Sequence, residues 1–249
     1  MSQSPIRKAL SSIRQSGART LLMGEQACVF YGAAEFSRDL DLLILADAAN
    51  LASLMRALDA LEAEVITVPP FEERHLLRGH AVHFRCRRED VRGLRIDLMS
   101  SLRGVAGFEE LWARRTTIDV GGEPVDLLAM EDLVRAKKTQ RDKDWPMIRR
   151  LVEQSYFGRS GSATEELVRF WLRELRTPDL LVEVAAAFPG WARAEAVSRP
   201  AVEAALSARP DDVSEALAAE EREERRKDRE YWAPLKRELE EFRLGRRRE

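Results

Sequence analysis

The chain lacks the features that define several common classes of protein. Its 249 residues include only two cysteines, Cys28 and Cys86, which form neither a disulfide framework nor a metal-ligand spacing. No apolar run approaches the ~18 residues that a membrane-spanning helix needs, and the N-terminal stretch lacks the apolar core of a signal peptide. The net charge of −2 indicates no global surface for polyanions. We therefore expect a cytoplasmic protein without a membrane partner.

The composition indicates a folded chain of one large or two modest domains. A hydrophobic content of 45% is ordinary for a globular protein and sufficient for a sizeable core. The composition turns small and polar over residues 158–162, which is typical of a linker. We predict one domain over residues 1–158 and a second, helical domain over residues 163–249.

One stretch near the N-terminus carries two closely spaced carboxylates. An apolar run ends at Gly24, a short helix and a turn follow, and a strand begins at Asp39. Asp39 and Asp41 are two residues apart, so on a strand their side chains share one face. The apolar residues 42–45 then follow without alternation, as in a strand buried on both faces. Such carboxylates repel one another unless a cation or a proton lies between them. The pattern therefore favours a divalent metal site, although a functionless surface pair is the simpler alternative.

A second strand, predicted over residues 93–99, carries another carboxylate. Asp97 has the parity of Arg95 and Met99, whereas the apolar residues between them face the other way. A single strand carboxylate is usually solvated, so the sequence alone gives Asp97 no function. His80 and His83 precede this strand, and their spacing on a strand does not favour a metal site.

A charged helix is predicted to begin near Met130. Lys137, Arg141 and Asp144 follow at positions i, i+4 and i+7, which an unbroken helix would align on one face. Pro146 disfavours helical geometry at Trp145, so we expect a kink or a new helix start there. The alternative is a solvated charged face without a function.

The remaining chain is predicted to contain only helices. Pro178 begins one helix that ends before Pro189, and a further helix is expected over residues 194–207. Near the C-terminus an apolar stripe must pack on this chain or on a partner. The stripe consists of Tyr231, Leu235, Leu239 and Phe242.

These residues together resemble the nucleotidyltransferase superfamily, whose motif is Gly-Gly or Gly-Ser, a short helix and Asp-x-Asp. Gly24 matches the first motif position, Ser37 matches the small hydroxyl residue, and Asp39 and Asp41 match the pair. Residues 131–144 resemble a second signature, found in the abortive-infection and toxin-type bacterial branch. The resemblance implies an α/β (α+β) fold with a mixed sheet flanked by helices, followed by an all-helical C-terminal region.

The same resemblance implies a Mg²⁺- or Mn²⁺-dependent transfer of an NMP from an NTP to a hydroxyl acceptor. The acceptor stays open between RNA or tRNA, a protein and a small molecule, and a toxin role with a cognate antitoxin is also implied. The implied catalytic residues are Asp39, Asp41, Asp97, Lys137 and Asp144, with the first three as metal ligands. The implied nucleotide-binding residues are Gly24, Glu25, Ser37 and Lys137.

Glu25 departs from the motif, because an acidic residue stands where Gly or Ser is expected. The departure motivates an alternative function: a catalytically degenerate protein of the same fold that binds a nucleotide or a partner. A simpler explanation is that the charge of Glu25 favours the N-terminus of the helix.

Overall fold

A mixed seven-stranded sheet organises the first half of the chain in the computed structural model, which describes residues 4–246. Its spatial order is β3-β4-β5-β2-β1-β7-β6. β2 runs parallel to β5 and β1 parallel to β7, and the other neighbouring strands are antiparallel. The strands are β1 (Thr20–Leu22), β2 (Asp39–Ile44), β3 (Ala63–Val65), β4 (Val82–Cys86), β5 (Arg95–Met99), β6 (Thr116–Asp119) and β7 (Pro124–Leu127).

Helices connect these strands and make up the later part of the chain. The helices are α1 (Pro5–Gln15), α2 (Gly24–Phe30), α3 (Ala48–Ala60), α4 (Glu73–Arg78), α5 (Phe108–Ala113), α6 (Met130–Ala136), α7 (Asp144–Arg159), α8 (Glu165–Glu174), α9 (Pro178–Ala187), α10 (Pro189–Ala196), α11 (Pro200–Leu206) and α12 (Pro210–Arg246). The predicted fold class is therefore confirmed: a mixed sheet flanked by helices and followed by a helical region. None of the helices within residues 4–246 combines the length and the apolar composition that a membrane crossing requires.

The central strands bury one face and leave the other partly polar. On β2, the side chains of Leu40, Leu42 and Ile44 are fully buried. Ile96 and Leu98 of β5 continue the same apolar layer. Each such burial stabilises the fold by about 1.5–3 kcal/mol. The opposite face of these strands carries the charged residues of the candidate site.

The contacts within the chain define two units. The first unit comprises Ala34–Ala136 with the chain up to Phe30 and the chain from Tyr231 onward, and it contains the whole sheet. The second comprises Lys137–Glu230 together with Tyr31–Ala33. The domain boundary expected near residue 158 stays a prediction.

In the first unit, the end of α12 packs on this chain through the predicted apolar stripe. The ring of Phe242 contacts the rings of His75 and His80, at centroid distances of 5.1 and 5.8 Å. The side chain of Leu235 is buried. The buried Nε2 atom of His80 lies 2.9 Å from a carboxylate oxygen of Glu238. The stripe therefore has its packing partner within the chain.

In the second unit, prolines set the starts of successive helices. The helix expected over residues 194–207 is wrong, because α10 begins at Pro189 and α11 begins at Pro200. Proline favours the first helical turn, where its missing N–H group leaves no hydrogen bond unmade. Arg199, just before α11, is buried and donates to Glu220 and to the carbonyl oxygens of Leu172 and Leu175.

Candidate functional site

The two aspartates of β2 lie on the same face of the sheet. Asp39 and Asp41 are half-buried, whereas Leu40 between them and Leu42 after them are buried on the other face. The alternation follows from the strand period of two residues. The site therefore begins with two carboxylates at the start of a central strand.

The turn before β2 is fixed by the hydroxyl group of Ser37. This hydroxyl donates to the carbonyl oxygen of Asp39 at 2.9 Å and accepts from its N–H group at 3.3 Å. Serine often closes such turns by bonding to backbone groups two residues on. Ser37 thus sets the backbone of the first aspartate, and its nucleotide-binding role stays a prediction.

Gly24 lies directly against the carboxylate of Asp41. A Cβ atom at Gly24 would be 1.9 Å from Oδ2 of Asp41, far inside any allowed contact. Gly24 also has a φ angle of +67°, which disfavours every other residue type. The preceding Met23 donates its N–H group to the carbonyl oxygen of Asp41 at 2.9 Å. Glycine is therefore required here for two independent reasons. Glu25 follows as a half-buried residue in the first turn of α2.

The pairing of β5 with β2, and of β4 with β5, brings further charged residues to the same face. In the parallel pair β2–β5, Asp97 is opposite Asp41 and Arg95 is opposite Asp39. In the antiparallel pair β4–β5, His83 is opposite Asp97. Residues in register on neighbouring strands point to the same side of a sheet. The third predicted carboxylate therefore shares the face of the first two.

Two basic side chains bind the carboxylate of Asp97. The Nε atom of Arg95 donates to its Oδ1 at 2.7 Å, and Nδ1 of His83 lies 2.8 Å from the same oxygen. Burial by itself would raise the pKa of Asp97, but the hydrogen bonds with His83 and Arg95 outweigh it and lower that pKa. The Asp97 side chain is accordingly ionised at neutral pH.

The two aspartates of β2 have the ligand chemistry of a divalent-cation site. Mg²⁺ prefers oxygen ligands and is commonly held by one or two carboxylates, with water and substrate phosphates completing its coordination. The close packing of Gly24 on Asp41 leaves backbone rather than a side chain beside that carboxylate. Within residues 4–246, no three histidine, cysteine, aspartate or glutamate side chains form a metal-binding group. Asp39 and Asp41 are thus a pair of carboxylates with suitable chemistry, and their role as metal ligands stays a prediction.

The second predicted segment, residues 131–144, does not form one helix, and its part from Lys137 onward belongs to the second unit. The alignment of Lys137, Arg141 and Asp144 on an unbroken helix is wrong, because α6 ends at Ala136 and α7 begins at Asp144. The new helix start expected near Pro146 is confirmed. Pro146 falls in the first turn of α7, where it removes no helical hydrogen bond.

The turn between α6 and α7 folds around the carboxylate of Asp144. The Nζ atom of Lys137 lies 3.4 Å from Oδ1, and Nε of Arg141 donates to Oδ2 at 2.8 Å. The hydroxyl of Thr139 also donates to Oδ2, and the indole N–H of Trp145 donates to the Thr139 carbonyl at 2.9 Å. Burial would raise the pKa of Asp144, yet the charges of Lys137 and Arg141 lower it. Both Lys137 and Asp144 are buried, so removal of either side chain would leave the charge of the other less compensated. Their catalytic roles stay predictions.

Sequence reasoning missed Arg95 and His83 as members of the site. The parity of Arg95 with Asp97 was visible in the sequence, because side chains two residues apart share a strand face. His83 carried no comparable signal, since only the register of β4 against β5 places it beside Asp97.

Comparison with known proteins identifies no family. No protein-family model and no curated protein matches the chain. The solved structures that are similar to it include the following two. A candidate nucleotidyltransferase from H. pylori is 14% identical, with 90% of this chain and 95% of that chain covered and a TM-score of 0.42. An antigenic nucleotidyltransferase-like protein from Paracoccidioides brasiliensis is 18% identical, with 61% and 74% covered and a TM-score of 0.38. Both TM-scores are low, so the functional proposal depends on the geometry of the site.

Proposed function

We propose that the chain is a nucleotidyltransferase that moves an NMP from an NTP to a hydroxyl acceptor, with Mg²⁺ or Mn²⁺ as cofactor. One observation carries the proposal: Asp39 and Asp41 share a sheet face, and the carboxylate of Asp41 packs on Gly24. This is the arrangement that the sequence motif requires. In the reaction, the acceptor hydroxyl releases its proton to water and its oxygen bonds to the α-phosphorus. The bond from that phosphorus to the oxygen that bridges to the β-phosphorus breaks, and pyrophosphate leaves with the electron pair.

The residues of the chain have positioning and electrostatic roles in this proposal. Asp39 and Asp41 concentrate negative charge where a divalent cation is to be held, and Asp97 adds a third carboxylate on the neighbouring strand. When bound, a divalent cation would neutralise the negative charge of the phosphates. Gly24 lets the backbone approach the triphosphate closely. Lys137 as a phosphate ligand and Asp144 as its orienting partner remain predictions.

A labelling screen tests the proposal and identifies donor and acceptor together. The full chain is incubated with Mg²⁺, each α-labelled NTP, and either total RNA or cell lysate. We expect transferred label that Asp41→Asn abolishes, because the amide removes the charge that holds the cation. Asp59→Asn on the exposed side of α3 is the matched control and should transfer normally. Label that persists in Asp41→Asn would contradict the proposed role of the pair.

The alternative is a degenerate protein that binds nucleotide without transferring it. Glu25 favours this alternative, since a negative charge beside Gly24 opposes the approach of a triphosphate. Nucleotide binding without transferred label in every arm of the screen would support it. A Glu25→Ser variant that then gains transfer would identify Glu25 as the cause.

The acceptor class and the toxin role are the finer parts of the proposal. RNA, a protein and a small molecule remain the candidate acceptors, because the fold does not determine the acceptor. A toxin that modifies RNA should arrest growth on overexpression and alter RNA 3′ ends, and a cognate antitoxin should relieve the arrest. Unchanged growth and unchanged 3′ ends would contradict the toxin role.

A further inference from the structure

We propose that the guanidinium group of Arg95 supplies one of the positive charges of the site, so that the aspartates take one divalent cation and not two. The inference rests on the proposed function, which requires a cation at Asp39 and Asp41 but leaves its number open. Arg95 is then a positioning residue that acts through Asp97.

The carboxylate of Asp97 is already held by neighbouring side chains. Its Oδ1 atom accepts from Nε of Arg95 at 2.7 Å and lies 2.8 Å from Nδ1 of His83. This oxygen therefore faces two basic side chains. The carboxylate that would complete a three-aspartate site is held by protein groups, which agrees with the absence of a three-ligand metal group within residues 4–246.

The sheet face that carries the three aspartates also carries a positive charge. Arg95 lies opposite Asp39 and two residues from Asp97, while Asp97 lies opposite Asp41. An arginine guanidinium stays protonated in proteins, so Arg95 is a permanent positive charge. This guanidinium therefore adds a positive charge to the face that carries the three aspartates.

The charge of Arg95 opposes the binding of a second divalent cation at this face. A second divalent ion that used Asp97 as a ligand would bind a carboxylate that already pairs with Arg95. Like charges at such short range in a half-buried site repel strongly. The Arg95 side chain is 38% exposed, against 14% for Asp97. Replacement of Arg95 should consequently change the charge of the site without disrupting the core.

The test is the number of Mn²⁺ ions that the full chain binds. Mn²⁺ alone is titrated into the protein, and free Mn²⁺ is measured by electron paramagnetic resonance. The variants are Arg95→Gln, which removes the charge, Arg95→Lys, which keeps it, and Asp41→Asn. Arg85→Gln is the matched control, because Arg85 is an exposed residue opposite Arg95 on β4.

We expect one Mn²⁺ per chain in the wild type, in Arg95→Lys and in Arg85→Gln. Arg95→Gln should bind a second Mn²⁺ at concentrations at least about tenfold below any at which the wild type begins to bind a second ion. Two ions in the wild type, or one in both wild type and Arg95→Gln, would overturn the inference and leave the proposed transfer intact. Binding that is absent, or that Asp41→Asn leaves unchanged, would overturn the metal role of the pair and the inference with it.

Discussion

Substitution of Gly24 by alanine tests how the site is built, independently of its chemistry. The added Cβ atom would lie 1.9 Å from Oδ2, 2.5 Å from Cγ and 2.7 Å from Cβ of Asp41. Real Cβ atoms do not make such contacts, so either Asp41 or the backbone at Gly24 must move. Because the contacts reach back to the Asp41 Cβ, a rotation of the carboxylate alone does not relieve them.

Two contributions determine how much Gly24→Ala lowers the free energy of unfolding. The φ angle of +67° costs an alanine about 1–2 kcal/mol relative to glycine. Overpacking of a fitted site adds about 1–3 kcal/mol. We therefore expect Gly24→Ala to lower the free energy of unfolding by about 2–5 kcal/mol. A displacement of the Asp41 carboxylate by about 1 Å would reduce nucleotidyl transfer by about 100-fold.

Gly17→Ala provides the matched control for this prediction. Gly17 has a φ angle of +78°, yet a Cβ atom there would meet nothing within 4 Å. Gly17→Ala therefore includes the cost of a positive φ angle but not the cost of a contact with a neighbouring side chain. Urea-induced unfolding, followed by circular dichroism, compares the two variants, and a double-mutant cycle with Asp41→Ala isolates the contact.

The double-mutant cycle shows whether the cost of Gly24→Ala comes from its contact with Asp41. In the Asp41→Ala background, Gly24→Ala should lose part of its cost, because most of the clashing atoms are gone. Two results together would contradict the proposed contact. Gly24→Ala would lower the free energy of unfolding no more than Gly17→Ala does, and the coupling energy with Asp41→Ala would stay within about 0.5 kcal/mol.

Two further predictions concern ion pairs within each unit. The hydrogen bond from Arg78 is the main cause that lowers the pKa of Glu238 from 4.5 to about 2. A depressed folded-state pKa stabilises the fold above the unfolded value and loses that effect as the pH falls through the folded one. The stability lost in Glu238→Gln should therefore be constant above about pH 4.5 and vanish towards about pH 2 in urea titrations; a loss that grows on acidification would contradict it. In the second unit, Lys137→Met leaves the buried Asp144 with less positive charge and should lower the free energy of unfolding by about 3 kcal/mol. Lys227→Met, on an exposed part of α12, should change it little, and equal losses in the two variants would refute the role of the buried pair.

The sequence predicted the elements of the site better than it predicted the contacts between them. The glycine, the short helix and the aspartate strand follow from local patterns, and α2 and β2 lie where those patterns place them. The continuous helix through Lys137 and Asp144 was wrong because the spacing of charges says nothing about where a helix ends. The buried pair in that turn forms only after the chain folds back on itself.

Within the site, the shared face of Asp39 and Asp41 was determined by the sequence alone, because the period of a strand is a local property of the backbone. The same holds for the common parity of Arg95 and Asp97. Only the tertiary structure decided that these two pairs meet, since strand register depends on pairing between distant parts of the chain. The register of β5 against β2 places Asp97 opposite Asp41, and the pairing of β1 with β2 brings Gly24 against the Asp41 carboxylate.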